Sequence, residues 1–213
     1  MIMEALETYI ERMSTAESEL LAELERETYL RVINPRMISG HVQGKFLEML
    51  VRMIRPQRIL EIGTFTGYSA LSIAAGLPED GVIDTCEVDD ELELLIRSFF
   101  DRSAYADKLN LHIGSALDIV PSLHQTYDMV FIDGDKCEYS AYYKMLFECG
   151  AVRSGSWILA DNILWYGKVV EQPVKGDKQT PAIVEFNRMV SEDERVENVI
   201  LPLRDGINLI RVK

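Results

Sequence analysis

The chain opens with two stretches in which apolar residues recur at helical spacing. From about Glu17 to Val32, leucines alternate with Glu and Arg so that one face of a helix is apolar. Pro35 and Gly40 interrupt this pattern. A second amphipathic helix is predicted from about His41 to Arg55, where Pro56 ends it. Two helices are therefore expected ahead of the rest of the fold.

After Pro56 the pattern changes to short apolar runs separated by helical segments. The runs predict five strands, at Arg58–Ile62, Val82–Cys86, Leu109–Ile113, Met129–Ile132 and Trp157–Leu159. The segments between them predict helices at Tyr68–Leu77, Glu91–Phe100, Ala116–Leu123 and Tyr139–Cys149. Alternation of buried strands with helices is typical of a parallel sheet built from βαβ units.

The C-terminal part has a different pattern. A helix near Pro181–Val190 is followed by two strands, Val196–Leu203 and Ile207–Val212, with a tight turn at Asp205-Gly206. The predicted fold class is therefore α/β. We expect a doubly wound, Rossmann-like, mostly parallel seven-stranded sheet, with an antiparallel C-terminal edge hairpin and two N-terminal prefix helices.

Length and charge narrow the class of protein. The 213 residues predict a single domain, with residues 1–56 as a helical cap and residues 57–213 as the α/β core. The net charge of −13 disfavours binding to nucleic acid or to an anionic membrane surface. The three cysteines form no CxxC motif, the N-terminus is acidic, and no apolar run is long enough to span a bilayer. We therefore expect a cytoplasmic protein that acts on a small molecule.

A glycine-containing loop follows the first predicted strand. Gly63 and Gly67 stand between that strand and the next helix, and glycine lets the backbone approach a ligand closely. Phe65 takes the place of the second glycine of the dinucleotide fingerprint GxGxxG. Glu87 ends the second strand, where a carboxylate can bond both hydroxyls of a ribose. These features favour a nucleoside-binding site, and the alternative is a tight turn with a solvated Glu87.

Two later strands end in acidic or amide residues. Asp133 follows the fourth strand, and Asp161 and Asn162 follow the fifth. Adjacent parallel strands would bring these side chains to one rim, where their oxygen atoms suit Mg²⁺, Mn²⁺ or Ca²⁺. The alternative is that they serve solubility or helix capping.

Lys136 lies three residues after Asp133. A lysine that is near a cation and partly removed from water has a lowered pKa and can act as a base. A lysine that follows an acid is otherwise a surface residue, so the prediction for Lys136 depends on its neighbours.

These segments resemble the cation-dependent class I O-methyltransferases, the family of catechol and caffeoyl-CoA O-methyltransferases. The resemblance covers the chain from about Pro35 to Lys213 and rests on the runs EIGTFTGYS, FIDGDKCEY, ADNILWYG and LRDGINLIR. It implies transfer of a methyl group from S-adenosylmethionine to a hydroxyl of a small catechol-like acceptor. It also implies a divalent cation, foremost Mg²⁺, and a homodimer.

The family's residue roles carry over position by position. Residues implied to bind the cofactor are Met37, Ser39, Glu61, Gly63, Thr64, Ser69, Glu87, Ala116 and Asp133. Those implied to hold the metal are Asp133, Asp161 and Asn162. Lys136 and Asp133 are the implied catalytic residues, and Lys136, Trp165 and Tyr166 are the residues implied to contact the acceptor. The chain departs from the pattern at Gly134, where bacterial members carry alanine, and at Tyr166, where a small residue is frequent.

Three other functions are weighed against this one. An NAD(P)-binding Rossmann oxidoreductase would need the missing GxGxxG. A nucleic-acid methyltransferase must hold a flipped base, and the amine-methylating ones carry an Asp/Asn-Pro-Pro-aromatic run after the fourth strand, where this chain reads Asp133-Gly134-Asp135. A non-catalytic cofactor-binding protein would have no reason to keep the metal-type residues together with Lys136.

Overall fold

The computed structural model describes residues 2–172 and 174–213. Its helices are α1 (Ile2–Met13), α2 (Glu19–Arg31), α3 (Gly40–Ile54), α4 (Tyr68–Gly76), α5 (Glu93–Phe100), α6 (Ala116–Leu123), α7 (Tyr139–Glu148) and α8 (Gln179–Glu192). Its strands are β1 (Arg58–Ile62), β2 (Val82–Glu87), β3 (Leu109–Ile113), β4 (Met129–Ile132), β5 (Trp157–Asp161), β6 (Val196–Leu201) and β7 (Ile207–Val212). Short 3₁₀ turns connect several of these elements.

The seven strands form one sheet in the order β3-β2-β1-β4-β5-β7-β6. Strands β1 to β5 pair in parallel, whereas β7 is antiparallel to both β5 and β6. The predicted fold class is therefore confirmed, including the C-terminal hairpin at the edge. The strand order reverses between β1 and β4, and sheets of this kind bind ligands beyond the carboxyl ends of the strands at such a point.

The hydrophobic core lies on both faces of the sheet because successive side chains of a strand point to opposite sides. Ile59, Phe131 and Leu159 pack on the face that is covered by α3, α4 and α5. Leu60 and Val130 pack on the other face, which is covered by α6, α7 and α8. All five side chains are completely buried. Packing on both faces thus fixes the positions of the strand ends.

The N-terminal segment holds one helix more than the sequence analysis predicts. Both predicted prefix helices are present as α2 and α3, and α1 precedes them. Leu6, Tyr9, Ile10 and Met13 on α1 follow helical spacing but remain between 41% and 66% exposed. Helix α1 therefore adds little to the core. No helix within the described ranges is long and apolar enough to cross a membrane.

The turn between β6 and β7 is longer than predicted. Strand β6 ends at Leu201, so five residues, 202–206, connect it to β7. The turn carries Arg204, whose φ of 49° lies in the left-handed region that is uncommon for residues other than glycine. Backbone N–H groups of Ile163 and Leu164 donate to carbonyl oxygens of this turn at 3.2 and 2.9 Å. The C-terminal hairpin is thereby held against the loop that follows β5.

Candidate active site

A cavity of about 2190 Å³ lies beyond the carboxyl ends of β1, β2, β4 and β5. Most of the predicted site residues line it, namely Met37, Ser39, Gly63, Glu87, Ala116, Asp133, Lys136, Asp161, Asn162, Trp165 and Tyr166. The other three, Glu61, Thr64 and Ser69, are at most 5% exposed and lie behind this lining. Side chains from widely separated parts of the sequence thus meet at one place.

The loop after β1 requires glycine at position 63. Gly63 has a φ of 97°, and a Cβ atom added there would lie 2.4 Å from the backbone oxygen of Asp133. Its N–H group donates to the carbonyl oxygen of Cys86 at 3.0 Å. The loops after β1 and β4 therefore pass each other more closely than any side chain would allow.

Glu61 is a buried acid with a free carboxyl oxygen. The hydroxyl of Thr85 donates to its Oε2 atom, whereas Oε1 has no hydrogen-bond partner within the described part of the chain. Burial raises the pKa of Glu61 to about 8, and the nearby hydroxyls of Ser69 and Thr85 act in the opposite direction. A buried carboxyl oxygen that lacks a partner suits a cationic group of a ligand.

Glu87 is the last residue of β2, and both of its carboxylate oxygens accept backbone hydrogen bonds. The backbone N–H of Phe65 donates to Oε2 at 2.6 Å, and that of Asp89 donates to Oε1 at 2.9 Å. Burial raises the pKa of Glu87 although these hydrogen bonds lower it. Each oxygen keeps a further lone pair, so the side chain can accept hydrogen bonds from two neighbouring hydroxyls such as those of a ribose.

Met37, Ser39 and Ala116, which are also implied to bind a cofactor, line the same cavity as Glu87. Met37 is 60% exposed and ends a 3₁₀ turn, and Ser39 precedes α3 and is buried. Ala116 is the first residue of α6. The first-turn N–H groups of a helix have no partner within the helix and can donate to a ligand.

Asp133 and Asp161 are neighbours at the ends of two paired strands. Ile132 pairs with Ala160, so the two acids come next in register. Burial and the charge of Asp161 raise the pKa of Asp133 to about 6, although Lys136 lowers it. A cation near Asp133 would favour its ionised form.

Asn162 completes the predicted set of oxygen ligands. It adopts a left-handed φ of 56°, and its N–H donates to Oδ1 of Asp161 at 2.7 Å. In the described ranges no three His, Cys, Asp or Glu side chains form a group that could hold a metal ion. The predicted ligands would offer two carboxylates and one amide oxygen, a chemistry that fits Mg²⁺ or Mn²⁺.

Lys136 is held in the cavity wall by two hydrogen bonds. Its Nζ atom donates to Oδ1 of Asp133 and to the hydroxyl of Tyr139, each at 2.7 Å. The Tyr139 hydroxyl in turn donates to the backbone oxygen of Asp161 at 3.0 Å. Sequence reasoning missed Tyr139, which it assigned to a helix start, although a tyrosine three residues after the lysine lies one helical turn away.

Trp165 and Tyr166 form one side of the cavity mouth. Their ring centroids are 5.6 Å apart, and both residues have left-handed φ values, of 47° and 55°. Oδ1 of Asp205 accepts a hydrogen bond from the N–H of Tyr166 at 2.6 Å. Tyr166 is 79% exposed, so its ring is available to an acceptor.

Several lining residues were given no role by the sequence analysis. Asp135 lines the cavity beside Gly134. A Cβ atom at Gly134 would lie 3.1 Å from the hydroxyl of Tyr142, so the tyrosine would have to shift slightly to admit alanine there. Gln43 and Arg204 also line the cavity. No local sequence motif identifies these two residues, because their hydrogen-bond partners are distant in the sequence.

Comparison with known proteins agrees with this geometry. An O-methyltransferase family model matches residues 11–213. A caffeoyl-CoA O-methyltransferase of Populus kitakamiensis is 34% identical over 98% of this chain and 93% of its own length.

Solved structures agree as well. The S-adenosylhomocysteine-bound methyltransferase PaMTH1 of Podospora anserina superposes with a TM-score of 0.91 at 26% identity, over 100% of this chain and 95% of its own. The O-methyltransferase TomG of Streptomyces achromogenes, in complex with S-adenosylmethionine, has a TM-score of 0.88 at 28% identity, over 98% and 96%. The chain belongs to the O-methyltransferase family and is an S-adenosylmethionine-dependent enzyme of the caffeoyl-CoA O-methyltransferase type.

Proposed function

We propose that the enzyme methylates one of two adjacent hydroxyls of a small catechol-type acceptor and depends on a divalent cation. The observation that carries the proposal is the placement of Asp133, Asp161 and Asn162 at one rim, beside Lys136. Asp161 is buried and Asp133 is largely removed from water, and a cation would stabilise their charges. Two adjacent hydroxyls would complete the coordination that three protein ligands leave open.

Glu61, Glu87 and the loop at Gly63 hold the methyl donor on the other side of the cavity. The negative charge of Glu61, which lies behind the cavity lining, would face the ammonium group of the donor, and Glu87 would accept hydrogen bonds from its ribose hydroxyls. Bound S-adenosylmethionine supplies the methyl group and leaves as S-adenosylhomocysteine. The protein's contribution is chiefly to align donor and acceptor, because the positive charge of the sulfonium and the negative charge of the attacking oxygen cancel in the reaction.

Lys136 moves the proton in the proposed reaction. Nζ of Lys136 would take up the proton of the acceptor hydroxyl, and the acceptor oxygen would attack the methyl carbon of the donor while the bond from that carbon to sulfur breaks. A bound divalent cation supplies Lewis-acid stabilisation of the acceptor oxygen. Trp165 and Tyr166 pack against the aromatic ring of the acceptor at the cavity mouth.

The test is methyl transfer from labelled S-adenosylmethionine to catechols, with Mg²⁺ and with excess EDTA. We expect EDTA or the substitution Asp161→Ala to lower kcat by at least about 100-fold, since Lewis-acid stabilisation contributes several kcal/mol. Asp128→Ala is the matched control, because Asp128 lies at the opposite end of the sheet. Full activity in EDTA or in Asp161→Ala would refute the dependence on a cation.

We also propose that the enzyme is a cytoplasmic homodimer. The segment before the sheet exposes large apolar side chains, among them Tyr9, Leu30, Ile33 and Met53. Such residues favour contact with a second copy of the chain. Light scattering after size exclusion should give the mass of a dimer, and a monomer for the intact chain would contradict this proposal.

A further inference from the structure

Gln43 contacts a proposed metal ligand from a distant part of the chain. It lies on α3 and is 1% exposed. Its Nε2 atom donates to Oδ2 of Asp161 at 2.6 Å. The other oxygen, Oδ1, accepts the N–H of Asn162 at 2.7 Å. Both oxygens of this carboxylate are therefore fixed by protein donors.

Arg204 determines which way the Gln43 amide points. Its Nη1 atom donates to Oε1 of Gln43 at 3.1 Å and to the backbone oxygen of Ile38 at 3.2 Å. A guanidinium has donors only, so the amide oxygen must face Arg204 and the amide nitrogen must face Asp161. The left-handed backbone of Arg204 is a strained conformation of the kind that clusters at functional sites.

We propose that Gln43, oriented by Arg204, is a positioning residue that holds Asp161 in the orientation needed to bind the cation. The inference rests on the proposed cation dependence. A carboxylate with both oxygens bonded presents its remaining lone pairs in a set direction, and partners behind the ligands tune metal affinity in this way. Gln43 does so through a neutral amide, whereas the donor to Asp133 is Nζ of Lys136.

A purely structural role is the competing explanation, because Gln43 also satisfies a buried carboxylate. Such a role predicts a loss of stability but no specific loss of metal affinity. Ser156→Ala is the matched control, since the buried hydroxyl of Ser156 donates to the backbone oxygen of Tyr127 at 2.7 Å near the opposite end of β5. Its loss removes a buried hydrogen bond without touching the site.

The experiment measures Mn²⁺ affinity by electron paramagnetic resonance in the presence of S-adenosylhomocysteine. We expect Gln43→Leu to weaken Mn²⁺ binding by at least about tenfold, as is typical for partners of metal ligands. The affinity for S-adenosylhomocysteine should change by less than about twofold, as for sites that do not interact. Ser156→Ala should bind Mn²⁺ as the wild type does.

Arg204 provides a second variant in case Gln43→Leu does not fold. Arg204→Leu should weaken Mn²⁺ binding because the amide loses its orienting donor, and Arg204→Lys, which keeps a cationic donor, should restore most of the affinity. Wild-type Mn²⁺ affinity in Gln43→Leu, or equal losses in Gln43→Leu and Ser156→Ala, would overturn the inference alone. A wild-type enzyme that binds no Mn²⁺ would overturn the cation proposal and this inference with it.

Discussion

The hydroxyl of Tyr139 helps to position Lys136, the proposed base. Its oxygen accepts from Lys136 and donates to the backbone of Asp161, so it links the proposed base to the strand that carries a proposed metal ligand. Tyr139 is completely buried, which keeps water from replacing it. The position of Lys136 thus depends on a residue that no acceptor touches.

We predict that Tyr139→Phe lowers kcat by about tenfold, because a hydrogen bond to a charged group contributes about 1.5–3 kcal/mol. The affinity for S-adenosylhomocysteine should stay unchanged. Tyr143→Phe is the control, since the hydroxyl of Tyr143 donates to Asp193 at 2.9 Å, away from the cavity. Equal kcat values for the two variants would contradict a positioning role for Tyr139. Initial-rate kinetics give kcat, and a binding titration gives the affinity for S-adenosylhomocysteine.

At the scale of elements, the hairpin of β6 and β7 supports the side of the cavity where we propose that the acceptor binds. The side chain of Asp205 accepts from Tyr166, and the hairpin turn accepts from Ile163 and Leu164. Three residues of the loop after β5, namely Asn162, Trp165 and Tyr166, have left-handed backbones. The turn therefore holds a strained loop in the shape that the acceptor would meet.

Removing the side chain of Asp205 should release this loop. We predict that Asp205→Ala raises the KM for a catechol about fivefold, the equivalent of one hydrogen bond of about 1 kcal/mol. Cofactor affinity should not change, because the contacts of Glu61 and Glu87 lie elsewhere. Asp128→Ala again serves as the control, since Asp128 accepts backbone N–H groups of Gln57 and Arg58 at the far end of the sheet. The same KM in both variants would show that the loop needs no such support.

The elements were largely predictable because periodicity reports which faces are buried. Apolar runs located all seven strands, and the helices between them differ by a few residues at their ends. Helix α1 is not predicted, because acids interrupt its apolar residues. Gln43 and Arg204 were missed for a different reason. Gln43 is 118 residues from Asp161 and 161 from Arg204, and no local pattern predicts contacts over such separations.

At the scale of the whole molecule, negative charge dominates the cavity. Three basic side chains other than histidine, those of Arg36, Lys136 and Arg204, line it. The acidic lining residues are Glu7, Glu11, Glu17, Glu25, Glu87, Asp133, Asp135, Glu138, Asp161 and Asp205. A cleft of one sign concentrates substrates of the opposite sign and repels those of the same sign.

We therefore predict that cationic or neutral catechols are better acceptors than anionic ones, including coenzyme A thioesters with their phosphates. A catechol with an amine side chain should have a lower KM than one with a carboxylate of similar size. The difference should shrink as salt is added, because salt screens exposed charges. A neutral catechol is the control and should respond little to salt. A preference for the carboxylate would show that charges on the lining do not select the acceptor.

The buried carboxyl group of Glu61 couples cofactor binding to the release of a proton. With its pKa raised to about 8 by burial, the ligand-free carboxyl holds a proton at neutral pH. An ammonium group bound near Oε1 would favour the ionised form, so the proton would pass to the buffer. Affinity for S-adenosylhomocysteine should therefore rise with pH until it levels off above the pKa of the free protein.

Calorimetric titration with S-adenosylhomocysteine at about pH 7, in buffers of different ionisation enthalpy, should show release of close to one proton per site. Glu61→Gln should remove the dependence of the binding heat on the buffer. If the wild-type heats are the same in every buffer, the predicted release of a proton is refuted. The cofactor's occupancy, and with it the rate of methylation at limiting cofactor, would then follow the pH of the surroundings.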